Sequence, residues 1–203
     1  MIMFDRVVTF ILEAIGNKLW GFKPNLMQHF VDQHGSGRSM YWFAANMPKY
    51  EKILKELGPI RTHLLVSAIS IMNACRYCHT GHAEAFQLHF LRIYGEIFPM
   101  DTDEMFALRG NGIDNMVHSL ENALNSSGLK GEIPSLRRLV KLYRDPSQTH
   151  QPEDASLFHL ISMFKVLNQC GIDANATIDA VHDPINRDTD LINRYKHLRE
   201  KSN

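Results

Sequence analysis

Apolar residues recur every three or four positions along most of the chain, and the strict alternation typical of strands is scarce. The first segment shows the helical repeat most clearly, with apolar side chains at Phe4, Val7, Val8, Ile11, Leu12, Ile15 and Leu19. This pattern predicts an amphipathic first helix that ends near Gly21 and Pro24. Its apolar face is wide enough to indicate packing against another subunit.

Glycine and proline residues divide the rest of the chain into further segments with the same period. These segments predict helices over residues 26–33, 48–57, 60–73, 76–94, 101–110, 113–125, 134–144, 152–170, 173–182 and 186–200. Residues 34–39 are predicted to be a flexible loop. The apolar run 64–72 fits a buried strand by its period alone, but its length and its flanks favour a buried helix. No linker is long enough to separate domains, so we expect a single all-α domain, a helical bundle over residues 1–203.

Composition and charge restrict the partners. The chain has 203 residues, 44% of them hydrophobic, with 22 acidic and 22 basic side chains. This length supports a sizeable core, and zero net charge argues against a nucleic-acid or anionic-membrane partner. The first residues lack the features of a secretory signal, and no window reaches the roughly 18 apolar residues of a membrane span. We therefore expect a cytoplasmic protein, where a close cysteine pair is more often catalytic or metal-binding than structural.

The segment 75–82 carries the main chemical signal, since it holds two of the three cysteines together with two histidines. On a helix, His79 lies four residues after Cys75, and His82 lies four residues after Cys78, which brings each thiol near an imidazole. A neighbouring imidazolium lowers the pKa of a thiol, and two thiols three residues apart can close a disulfide. The spacing therefore indicates thiol redox chemistry.

Three alternatives stay open for the same residues. Zinc is the main one, because both cysteines with His79 or His82 supply three ligands and His63 a fourth. A second cysteine pair is missing, however, since Cys170 lies about ninety residues away in an apolar helix end, as expected of a buried thiol. The run Cys-x-x-Cys-His also matches covalent haem attachment, which normally takes place outside the cytoplasm. In the simplest alternative both cysteines are inert core residues.

Residues 63–82 resemble the core motif of the alkylhydroperoxidase AhpD-like proteins, grouped with the carboxymuconolactone decarboxylase family. Their pattern is an apolar helix followed by Cys-x-x-Cys-x-x-x-His, here Cys75-Arg76-Tyr77-Cys78 and then His82. The close resemblance covers about residues 45–95. It implies an all-helical AhpD-like bundle assembled into homo-oligomers, with thiol-dependent peroxide reduction as the activity and no cofactor.

The resemblance also implies the roles of individual residues. Cys78 would be the peroxidatic thiol, Cys75 the resolving thiol and His82 part of a proton relay. Helix-dipole reasoning instead favours Cys75 as the more acidic thiol, because it lies nearer the helix start. The substrate would be a hydroperoxide, and the reductant an external dithiol of the lipoyl or thioredoxin-like type. A non-redox member of the family, such as a decarboxylase or a binding module, is the alternative function.

One position departs from the family pattern. The family usually has a glutamate twelve residues before the first cysteine, and this chain has His63 there. A carboxylate can orient His82 or accept its proton, whereas an imidazole relays a proton only while it is neutral. Either His63 replaces the glutamate as a base, or Glu84 or Glu56 supplies the carboxylate, or peroxidase activity is lost and only a redox-active disulfide remains.

Overall fold

The computed structural model describes residues 3–148 and 151–202. Within these residues the chain forms ten α-helices, four short 3-10 turns and no strands. The helices are α1 (Met3–Trp20), α2 (Leu26–His34), α3 (Ser36–Leu57), α4 (Pro59–Met72), α5 (Arg76–Tyr94), α6 (Thr102–Ala107), α7 (Ile113–Ser126), α8 (Ile133–Arg144), α9 (Asp154–Asp173) and α10 (Thr189–Ser202). The predicted all-α fold is confirmed.

Helices α4 and α5 form the centre of the bundle and pack more extensively against each other than any other pair of elements. Every residue of α4 from Thr62 to Ile71 is buried. A helix that is apolar around its whole circumference needs neighbours on all sides, and α3, α8 and α9 all pack against α4. The apolar run 64–72 is therefore a buried helix, as predicted, and not a strand.

A tight turn joins these two central helices. Ala74 has a φ of 59°, in the left-handed region that costs a residue with a Cβ about 1 kcal/mol. The turn brings the backbone N–H of Cys75 to the carbonyl oxygen of Ser70 at 2.9 Å and makes Cys75 the N-cap residue of α5. Cys78 then lies in the first turn of α5, so both thiols lie at the positive end of the helix dipole.

Two predictions of local structure are wrong. Residues 34–39 are not a loop, because α3 already begins at Ser36 and continues through Pro48, which was expected to start a helix. The buried residues Phe43, Tyr50 and Ile53 hold the two halves of α3 against the core. Packing therefore outweighs the hydrogen bond that a proline removes inside a helix.

The predicted helix over residues 173–182 is also absent. Helix α9 continues to Asp173 and ends where Asn175 adopts a φ of 46°. The following residues use their polar groups for tertiary contacts, since the Asp179 carboxylate accepts from the backbone N–H of Asn25 at 2.9 Å and from the Tyr77 hydroxyl at 2.7 Å. Residues 174–188, here called the return segment, therefore run back across the bundle to α5.

The return segment approaches α5 closely at Gly81. The backbone N–H of His182 donates to the carbonyl oxygen of Gly81 at 3.1 Å. A Cβ at Gly81 would lie 2.5 Å from Cγ of His182, so only glycine allows this approach. No helix in the described part of the chain is long and apolar enough to cross a membrane.

Candidate active site around Cys75 and Cys78

The thiols of Cys75 and Cys78 are free and buried, and they share a hydrogen bond. That bond from Cys78 lowers the pKa of the Cys75 thiol, with backbone N–H groups at the start of α5 contributing and burial opposing. The same bond, together with complete burial, raises the pKa of Cys78 well above its usual range. In the reduced protein, Cys75 is therefore the more acidic thiol, as expected for the N-cap position.

A chain of hydrogen bonds leads from His82 into the core. Nδ1 of His82 lies 3.0 Å from Nδ1 of His63, and Nε2 of His63 lies 2.9 Å from Oδ2 of Asp183. His63 is fully buried, and the carboxylate of Asp183 is nearly so. His63 thus contacts His82 directly, and a carboxylate from the return segment lies behind it.

The ionisation of these three side chains determines which group donates and which accepts in each hydrogen bond. Burial opposes the ionisation of Asp183, but hydrogen bonds from His63 and His89 outweigh it and hold the pKa of this carboxyl below its usual range. Burial lowers the pKa of His63 and lowers that of His82 further, so both imidazoles are neutral at pH 7.

The position of each imidazole proton follows from the acceptor next to it. The carboxylate of Asp183 can only accept, so His63 carries its proton on Nε2 and accepts at Nδ1. His82 must then donate from Nδ1 across the 3.0 Å contact. Nε2 of His82 is left without a proton and is available as a base.

A small pocket joins this base to one of the two thiols. Cys78 and His82 both line it, whereas Cys75 does not. Its cavity volume is about 40 Å³, and one water molecule needs only about 10–15 Å³. The other lining side chains are largely apolar and include Trp20, Phe43, Met47, Phe164 and Leu167. The pocket therefore has room for a small reactant next to Cys78.

Tyr50 also lines this pocket and was missed in the sequence. Its side chain is 2% exposed, and its hydroxyl has no hydrogen-bond partner among the described residues. Burial raises the pKa of Tyr50, so the hydroxyl keeps its proton. An unpaired buried hydroxyl costs free energy, which a hydrogen-bonding ligand in the pocket would recover.

The return segment closes one side of the pocket. The ring of His182 lines it and stacks on Phe22 at 5.6 Å, while Nε2 of His182 lies 3.2 Å from Oδ1 of Asp179. Tyr77 donates to the other oxygen of the same carboxylate at 2.7 Å. These bonds hold His182 over Gly81 and next to His82.

The predicted site residues do not all come together. His79 lies outside the hydrogen-bond chain, because its Nδ1 is 3.0 Å from the Ser67 hydroxyl and its Nε2 is 3.0 Å from the carbonyl oxygen of Thr102. Both of its ring nitrogens are therefore occupied, which indicates that it joins α4 and α5 to the start of α6.

The two glutamates considered in place of the family residue lie elsewhere. Glu56 forms a surface ion pair with Lys52 at 3.6 Å. Glu84 lines a different, polar pocket with Tyr195 and Arg199. Asp183 supplies the carboxylate instead.

The thiols do not belong to a metal-type cluster among the described residues. The cluster found there consists of His63, His89 and Asp183, whose ligand atoms lie within 4.8 Å of one another. The alternative of a zinc site made of Cys75, Cys78 and a histidine is thus not supported by this geometry.

Two signals for the missed residues are present in the sequence. His89 follows His82 by seven residues, which places both on the same face of α5 after two turns. Asp183 precedes Pro184, the usual arrangement at a helix start, and its carboxylate accepts from the backbone N–H of Ile185 at 2.7 Å. Neither signal reveals that the two side chains meet.

Comparison of the chain with family models, with curated proteins and with solved structures finds no match. The functional argument therefore depends on the site itself.

Proposed function

We propose that the protein is an AhpD-like thiol-dependent peroxidase that reduces hydroperoxides through a dithiol–disulfide cycle at Cys75 and Cys78. One observation carries this proposal: Cys78 shares a small pocket with His82, whose free Nε2 is supported by His63 and Asp183. A thiol with a raised pKa needs such a base, because only the thiolate attacks a peroxide efficiently.

The reaction begins with proton transfer. Nε2 of His82 takes the proton of the Cys78 thiol as the sulfur attacks one oxygen of the O–O bond, so that no buried ion pair forms first. The S–O bond forms as the O–O bond breaks, and the leaving alkoxide takes up a proton from His82. The products are a sulfenic acid at Cys78 and an alcohol.

Closure of the disulfide completes the oxidative half of the cycle. The Cys75 thiolate attacks the sulfur of the sulfenic acid, and hydroxide leaves and becomes water on protonation. The backbone N–H groups at the start of α5 lower the pKa of Cys75 and continue to do so after Cys78 is oxidised, which favours the thiolate form that this step needs. Cys78 lines the pocket and is therefore proposed as the nucleophile, whereas Cys75 is the more acidic thiol and is proposed as the resolving residue.

Tyr50 supports the step in which the O–O bond breaks. Tyr50 lines the pocket, and its protonated hydroxyl is unpaired among the described residues, so we propose that it donates to the oxygen that acquires negative charge. A donor in a water-poor site stabilises such charge more than water does.

The pocket lining favours an organic hydroperoxide as the substrate. A second pocket of about 210 Å³ shares Trp20, Met27, Phe43 and Met47 with the one at Cys78 and is lined by apolar residues from α1, α2 and α3. It provides a place for the apolar part of a substrate whose peroxide group reaches Cys78.

The reductant is an external dithiol carried by a lipoyl-type or thioredoxin-like partner. It attacks the disulfide between Cys75 and Cys78, returns both residues to thiols and is itself oxidised to a disulfide. A cycle that depends on an external dithiol needs a reducing compartment, and we propose the cytoplasm on that ground.

We further propose a homo-oligomer. Helix α1 exposes an apolar row on the protein surface that includes Phe4, Val7, Phe10 and Ile11. A contiguous exposed row of this kind is typical of a subunit contact. Light scattering at micromolar concentration should show a multimer that Phe10→Asp dissociates, and a monomer in both proteins would contradict the assembly.

Stoichiometric oxidation tests the enzymatic proposal. The reduced protein is mixed with cumene hydroperoxide, free thiols are counted over time, and the disulfide is located by mass spectrometry. We expect rapid loss of two thiols with a bridge between Cys75 and Cys78. In Cys75→Ser, a sulfenic acid at Cys78 should be trapped by dimedone.

Cys170→Ser is the matched control, because Cys170 is equally buried and lies outside the pair. It should oxidise as fast as the unchanged protein. Thiols that survive peroxide for hours would contradict the peroxidase, and a sulfenic acid trapped at Cys75 in Cys78→Ser would exchange the two roles.

A further inference from the structure

Three side chains from three different segments converge behind the proposed relay. His63 comes from α4, His89 from α5 and Asp183 from the return segment. The two imidazole rings are nearly parallel, with centroids 5.8 Å apart and an interplanar angle of 14°. Each presents Nε2 to one carboxylate oxygen of Asp183, at 2.9 Å for His63 and 3.1 Å for His89.

The negative charge of the buried Asp183 carboxylate is unusual for a protein interior. The carboxylate of Asp183 is 5% exposed, and the side chains that hydrogen-bond to it among the described residues are those of the two histidines alone. Neither lysine nor arginine forms an ion pair with it there. A buried carboxylate normally has a cationic partner or a metal ion, because removing an uncompensated charge from water is costly.

The donor atoms are those of a transition-metal site. Two imidazole nitrogens and one carboxylate oxygen form the set that holds zinc in many enzymes and iron(II) in others. The three atoms lie within 4.8 Å of one another, whereas ligands around zinc lie about 3.3 Å apart when the bonds are about 2.0–2.1 Å. His63 and His89 contact different oxygens of the carboxylate, at 2.9 and 3.1 Å, so for the oxygen that binds the ion one of these distances is already close to the required value. A small shift of the carboxylate or of the other imidazole completes the set.

We propose that His63, His89 and Asp183 form a binding site for one divalent transition-metal ion, held through two Nε2 atoms and a carboxylate oxygen. The site is separate from the dithiol, and the proposal goes beyond the proposed peroxidase function. Neither cysteine takes part in it, which distinguishes it from the zinc alternative considered for Cys75 and Cys78.

Binding requires a rearrangement of protons but no large movement of the chain. Nε2 of His63 donates to Asp183 in the metal-free protein, so ligation moves its proton to Nδ1. That atom faces Nδ1 of His82, which then accepts where it previously donated. The ion and a proton therefore cannot occupy Nε2 of His63 at the same time.

The ion reaches the site from the side of His89. The side chain of His89 is 13% exposed, whereas that of His63 is fully buried. His89 is thus the ligand whose replacement perturbs the fold least, and Gln keeps its size and polarity.

Metal titration of the double variant Cys75→Ser/Cys78→Ser tests the site without any contribution from the thiols or from peroxide chemistry. The metal-free protein is titrated with Co(II), followed by visible absorption, and then with Zn(II) in competition. We expect one ion per chain, with the ligand-field bands of a nitrogen and oxygen donor set. His89→Gln in this background should weaken binding at least about tenfold.

His79→Gln is the matched control, since His79 is a buried histidine on the same helix and outside the cluster. It should bind the ion like the parent. Circular dichroism verifies that each variant is folded. An absence of Co(II) binding to the folded double variant, or binding that His89→Gln leaves unchanged, would overturn the proposal. Tight binding by the unchanged protein that disappears in the double variant would assign the metal to the thiols instead.

Discussion

His63 and His82 share a hydrogen bond between their Nδ1 atoms, 3.0 Å apart, in the interior of the bundle. This contact places a neutral imidazole where the resembling family has a carboxylate, and the carboxylate of Asp183 is moved one residue further from the thiols. The arrangement keeps one buried negative charge near the site while changing which residue carries it.

A glutamate at position 63 should be harmful here, although the family pattern has it. His63→Glu would put a second buried carboxylate next to Asp183, and we expect the free energy of unfolding to fall by about 3 kcal/mol. Urea denaturation at pH 8 measures this, because both carboxyls then favour ionisation. Adding Asp183→Asn should recover much of the loss. A double variant no more stable than His63→Glu alone would contradict the charge argument.

Tyr50→Phe should affect stability and reactivity in opposite directions. Removing an unpaired buried hydroxyl should leave the free energy of unfolding unchanged or raise it by about 1 kcal/mol. Loss of the donor should slow peroxide-dependent oxidation of Cys78 about tenfold. Tyr41→Phe, at a tyrosine that is 77% exposed, is the control and should change neither quantity. An unaltered oxidation rate in Tyr50→Phe would remove this residue from the mechanism.

Gly81→Ala should disturb the site by displacing His182. The new Cβ would lie 2.5 Å from Cγ of that ring, so the return segment must move, at a cost of about 1–3 kcal/mol in the free energy of unfolding. Thermal or urea denaturation gives the value. Gly37→Ala is the matched control in α3, where a Cβ meets nothing within 4 Å, and should be neutral or slightly stabilising. Equal effects of the two substitutions would show that the approach of His182 is not tight.

The stability of the protein should fall as the pH decreases below about 6.5. Burial lowers the folded-state pKa of His63, His79 and His82, whereas the unfolded chain has histidine pKa values near 6.5. Between those pKa values the unfolded state binds protons that the folded state does not bind. Each histidine therefore lowers the free energy of unfolding by up to about 1.4 kcal/mol per pH unit. Above about pH 7 this contribution is constant.

Urea denaturation between pH 5 and 8 measures this dependence and stays above the range in which Asp183 titrates. His79→Gln should reduce the slope, because it removes one of the histidines whose pKa burial lowers, a group that also includes His159. A free energy of unfolding that is independent of pH from 8 to 5 would mean that these histidines bind protons equally well in the folded and unfolded states, which would contradict the prediction.

Local patterns in the sequence determined most of the helices. The apolar period of α1 and the apolar run of α4 depend on neighbours within a few residues, and the structure confirms the helices that they predict. The local sequence pattern also placed Cys75 at the start of a helix whose first turns carry Cys78 and His82. These features are visible in the sequence because helix formation and capping are governed by contacts close along the chain.

Tertiary structure alone decided what lies behind the dithiol. Asp183 is 120 residues from His63 in sequence, and the two meet because the return segment crosses α5 at Gly81 rather than forming a helix. The same crossing brings His89 to the carboxylate and His182 to the pocket. No local pattern encodes such contacts, since they depend on which distant surfaces exclude water from each other. The thiol chemistry could therefore be proposed from eight consecutive residues, whereas its proton relay and the candidate metal site required the folded chain.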